Sequence, residues 1–79
     1  MLMSQRDKII EKMKNNPNGW RIEQLKSLAD YYAIVWVHDG TSHCIFFGEV
    51  PLSVPAKKPI KAIYVKQFVV LIEKIRQSE

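Results

Sequence analysis

Ala33-Ile34-Val35-Trp36-Val37-His38-Asp39-Gly40-Thr41-Ser42-His43-Cys44-Ile45-Phe46-Phe47-Gly48-Glu49-Val50-Pro51-Leu52-Ser53-Val54 decides the fold of this chain, because short apolar runs alternate in it with turn residues. Residues 33–37 are rich in β-branched and aromatic side chains, which suit a pleated surface, and the Asp39-Gly40 pair that follows is a hairpin signal. Residues 43–48 read as the returning strand. Period-two alternation puts His43, Ile45 and Phe47 on one face, with Cys44 and Phe46 on the other. Gly48-Glu49 is a second tight connection, and residues 50–54 read as a third strand. Pro51 has no amide hydrogen, so it confines that strand to a sheet edge or takes its first position. The expectation is a three-stranded antiparallel meander.

Helices flank it. Ser4 with Asp7 three residues on is an N-cap arrangement, and Ile9, Ile10 and Met13 recur on one face, which predicts a first helix over residues 5–15. Asn15-Asn16-Pro17-Asn18-Gly19 ends it, and Trp20 marks a return to the core. Ile22, Leu25, Leu28, Ala29 and Tyr32 repeat at three- and four-residue steps with polar residues between, which predicts a half-buried helix over 21–31. After the basic loop Pro55-Ala56-Lys57-Lys58-Pro59, the spacing of Ile60, Tyr64, Phe68, Leu71, Ile72 and Ile75 predicts a last helix over 61–76. Ile63, Val65, Val69 and Val70 widen its apolar face beyond what a small sheet covers. Either the first two helices cover the excess or it meets a partner, which leaves room for a homodimer. The class is α+β, in the order α-α-β-β-β-α, with the helices on one face of the sheet.

Seventy-nine residues hold one domain, here 1–79, with one modest core, so any active site is shallow. Twelve Lys and Arg against eight Asp and Glu give a formal net charge of +4, which favours RNA, DNA or an acidic protein as partner. Cys44 is the one cysteine, which excludes an intramolecular disulfide and a cysteine-based zinc site. It reads as a small buried side chain. The stretch Met1 to Lys8 lacks the apolar segment of a signal peptide and Tyr31 to Val37 is too short to span a bilayer, so a soluble cytoplasmic protein is expected, without membrane contact.

His43 stands where a polar turn becomes an apolar strand. An imidazole titrates near pH ~6.5 unperturbed, so it exchanges protons at neutral pH with little tuning. A solvated turn residue is the plainer reading. His38, at the other end of the same turn, is a rival acid-base group. Two histidines with no carboxylate pair or cysteine ligands nearby make a poor metal site, so neither metal nor cofactor is expected.

Several further stretches resemble the HicA family of toxin proteins: Ser42-His43-Cys44-Ile45-Phe46 after its glycine turn, Leu52-Ser53-Val54-Pro55, Lys57-Lys58-Pro59 and Tyr64-Val65-Lys66-Gln67-Phe68, in that order. The likeness covers most of the chain. It implies a fold like the double-stranded-RNA-binding domain, cleavage of mRNA, a HicB-type antitoxin that masks the active face, and His43 as the catalytic residue. In the family pattern the glycine directly precedes Ser-His, whereas Thr41 intervenes here, and residues 21–31 add a helix.

An RNA phosphodiester carries its own nucleophile, the 2′-hydroxyl, so cleavage needs a base for that hydroxyl, an acid for the leaving oxygen and fixed positive charge. His43 is the candidate acid or base, and Lys57, Lys58 and Lys61, with Ser42, are candidate RNA contacts. The lysines read equally as a solvated basic loop. Trp20 and Trp36 could stack on unpaired bases, although core packing is the commoner use of such residues. Three functions follow: a metal-independent endoribonuclease acting on single-stranded mRNA, an RNA-binding module without catalysis, and an interaction domain using the last helix.

Overall fold

The computed structural model describes residues 5–38, 40 and 42–78, with only the backbone of Arg6 and Ser78. The Ser4 cap, Asp39 of the turn and the inserted Thr41 lie outside the described residues. Three helices and three strands follow in the order α1 (Gln5–Asn15), α2 (Ile22–Tyr31), β1 (Val35–Val37), β2 (His43–Phe47), β3 (Pro51–Pro55) and α3 (Ala62–Ser78). The α+β class and the element order agree with the sequence reading.

The strands form one antiparallel sheet in the order β1-β2-β3, so the strand that begins with His43 is central. Val35 pairs with Phe47 and Val37 with Ile45 on one side of β2, while His43 pairs with Pro55 and Phe47 with Pro51 on the other. The alternation is as expected. Cys44 and Phe46 are buried with Val54 of β3, whereas His43 and Phe47 are exposed. α2 lies against β1, α3 against β3, and α1 against α3, all over the face that carries Cys44 and Phe46. Phe46 meets Phe68 of α3 edge-on, ring centroids 5.0 Å apart.

Two boundaries differ from the sequence reading, each for a local reason. β1 starts at Val35 because Ala33 and Ile34 close α2 instead. The Ile34 N–H donates to the Ala29 carbonyl (2.8 Å) and the Ala33 N–H to that of Asp30 (3.2 Å), with Ala33 in the left-handed region at φ 60°. This is a Schellman stop with alanine in the place glycine usually takes. β3 runs on through Pro55 because that residue makes no demand on the ladder. The Ala56 N–H donates to the Ser42 carbonyl (2.7 Å), so the bonded pairs are Cys44 with Val54 and Phe46 with Leu52. The amides of residues 51, 53 and 55 then point to the free edge, and two of those three positions are proline.

The wide apolar face of α3 divides. Val65 and Val69 are buried within the chain, and Ile63 and Val70 are exposed. Among the described residues, no helix is long and apolar enough to cross a membrane.

Candidate functional site

His43 is exposed on the open face of the sheet, at the end where β2 begins and β3 finishes. Its Nδ1 lies 3.0 Å from Ser42 Oγ. A hydroxyl both donates and accepts, so Ser42 serves either neutral tautomer of the ring. With the proton on Nδ1 and directed at Ser42, Nε2 offers a lone pair as a base. In the imidazolium form Nδ1–H donates to Ser42 Oγ and Nε2–H is the outward acid.

The sheet also brings the basic loop to this corner. Pro55 is opposite His43, and the chain runs two residues on to Lys57, a reach of at most about 7 Å. Loop 56–60 is held at both ends by backbone hydrogen bonds, from the Ala56 N–H to Ser42 and from the Ile60 N–H to the Trp20 carbonyl (2.8 Å). Lys57 and Lys61 are exposed. Lys61 caps α3, its carbonyl accepting from the N–H groups of Tyr64 (3.0 Å) and Val65 (3.3 Å), and the first turn of that helix contains no acidic residue. The positive end of that helix adds to the charge of Lys61 itself. Lys58 differs: its Nζ lies 3.6 Å from Glu23 Oε1 at the start of α2. The Glu23 carboxyl is held below its ordinary range first by its own backbone N–H and then, against some desolvation, by Lys58. Of the three lysines singled out in the sequence, Lys58 is thus engaged by α2.

Both tryptophans serve the fold. The Trp20 indole N–H donates to the Asn16 carbonyl (2.7 Å). That of Trp36 donates to Asp30 Oδ1 (2.8 Å), with Lys26 Nζ 4.8 Å from its ring centroid. Each is half-buried against the core. The aromatic side chain exposed on the same face as His43 is Phe47, 44% exposed, at the far end of the same strand. It belongs to an apolar strip with Val35, Val37 and Ile45. Strand alternation alone puts Phe47 on this face, and the sequence reading gave it no role.

Cys44 is buried beneath the site, and burial pushes its thiol above the ordinary range, which Lys26 opposes in part. It is a packing residue and not a nucleophile at neutral pH. His38 is half-buried just past the last paired residue of β1, and alternation assigns it to the face opposite His43. Among the described residues, no group of three or more His, Cys, Asp and Glu is arranged to hold a metal ion.

No family model, curated protein or solved structure matches the chain.

Proposed function

We propose that the protein is a metal-independent endoribonuclease of the HicA toxin type, with a fold like the double-stranded-RNA-binding domain, that cleaves single-stranded mRNA in the cytoplasm. A HicB-type antitoxin would cover the open sheet face. The observation that carries the reading is the position of His43: exposed at the end of the central strand, within 3.0 Å of Ser42, beside the point where the basic loop leaves the sheet. His43 takes the proton from the ribose 2′-hydroxyl or supplies one to the leaving oxygen. The oxygen attacks phosphorus and the P–O bond to the next nucleotide breaks, leaving a 2′,3′-cyclic phosphate; water carries the one proton that His43 does not, and charge that builds on the phosphoryl oxygens is met by Lys57 and Lys61. Ser42 keeps the ring oriented through the proton transfer.

Exposed Phe47 favours a second reading, in which the same face stacks unpaired bases and holds RNA without cutting it. One experiment separates the two. Purified protein is incubated with labelled single-stranded RNA in EDTA, beside a His43→Ala variant whose fold is checked by circular dichroism. The nuclease predicts cleavage by the parent and a loss of about 10²- to 10⁴-fold in the variant. Retention of RNA by both, with no cleavage, selects the binding module. Cleavage at full rate by a folded His43→Ala protein removes His43 from the mechanism.

A further inference from the structure

The site at His43 leaves a second exposed apolar region unexplained. Between β3 and α3 runs a groove of about 930 Å³. Val50 (68% exposed), Ile63 (59%) and Val70 (51%) stand along it, and Lys66, Lys74 and Glu49 also line it. We propose that this groove docks an amphipathic helix of a partner protein, one whose apolar stripe is bordered by carboxylates.

The groove itself selects that occupant. An added β-strand is disfavoured because only Ser53 presents an amide hydrogen along the free edge of β3, between Pro51 and Pro55. A main-chain ladder would find one donor in five residues. A second copy of the chain is also disfavoured. A two-fold interface would set this patch, with Glu49 the one carboxylate in its lining, against itself in a protein of net charge +4. A helix needs no backbone partners. Along α3, Ile63, Lys66, Val70 and Lys74 fall on one face and span about 17 Å, the length of three helical turns. Apolar side chains at three- and four-residue spacing would pack on Ile63, Val70 and Val50, and a glutamate beside them would meet the exposed Lys66. The proposal stands independently of RNA cleavage.

The probes are two synthetic three-turn helical peptides with leucines at i, i+3 and i+7, one flanked by glutamates and the other by lysines. Binding is measured by fluorescence anisotropy and mapped by amide chemical shifts on the full chain. The glutamate peptide is expected to bind and to shift amides of β3 and of residues 63–74. Val70→Glu should weaken it by about tenfold or more, Lys66→Glu should reverse the preference between the peptides, and His43→Ala should leave affinity unchanged. Equal binding of both peptides, shifts confined to the open sheet face, or a Val70→Glu protein that binds as well as the parent would overturn the proposal. So would sedimentation showing self-association that Val70→Glu abolishes. Val70 and Lys66 are both exposed, so neither substitution disturbs the core.

Discussion

Ala33 holds φ 60°, a conformation that costs a residue with a Cβ about 1–2 kcal/mol. Two backbone hydrogen bonds and the burial of Ile34 keep it there. Ala33→Gly removes the steric cost and adds unfolded-chain entropy, for a net gain of about 0.5–1 kcal/mol, read as a melting temperature higher by about 3–6 °C. A lower melting temperature would mean that the alanine methyl contributes packing. The same residue shows why one boundary escaped the sequence. A glycine at 33 would have announced the helix end, whereas alanine beside Ile34-Val35-Trp36 reads as strand. His43 was legible because strand alternation alone fixes its face. The engagement of Lys58 was not, since Glu23 is remote in sequence and the loop between β3 and α3 brings them together.

At the scale of elements, α3 crosses the turn between β2 and β3 at a glycine. A Cβ on Gly48 would lie 2.7 Å from Leu71 Cγ and 2.8 Å from its Cδ1, so the close approach of helix to turn depends on the missing side chain. Gly48→Ala should cost about 1–3 kcal/mol in denaturant unfolding, and Leu71→Ala in the same chain should make the alanine less costly than it is alone. Additive losses would place the damage elsewhere. The strands themselves were readable because the sheet has one covered and one open face, which writes a period of two into Cys44, Phe46 and Val54. The length of β3 was less so: Pro55 looks like a strand breaker until the register shows its nitrogen on the unpaired side. Residues 65 and 69 of α3 could not be told in advance from 63 and 70, since their burial depends on where α1 crosses.

Across the molecule, Asp7 joins three helices. The Tyr32 hydroxyl at the end of α2 donates to its Oδ1 (2.7 Å), and Arg76 of α3 lies 3.6 Å from the same oxygen. Lys14 of α1 reaches Glu73 of α3 at 2.7 Å, and this bond and charge raise its ammonium above the ordinary lysine range. Asp7→Ala leaves the part-buried phenol without its acceptor and should cost about 1–3 kcal/mol, while Asp7→Asn, which can still accept, should cost less. Burial first, then Asp7, pushes the Tyr32 phenol well above the usual tyrosine range. A raised value in the fold means stability that is whole below the unfolded value of about 10 and lost as pH climbs through the folded one. Stability should therefore fall in alkali, and Tyr32→Phe should flatten that fall; an identical alkaline profile in both proteins would contradict the assignment. The two backbone bonds that clamp loop 56–60 have a thermodynamic corollary for any anion arriving there. With both ends of the loop already tied, association spends less on ordering the main chain and mainly freezes the lysine side chains, at about 0.5–1.5 kcal/mol apiece.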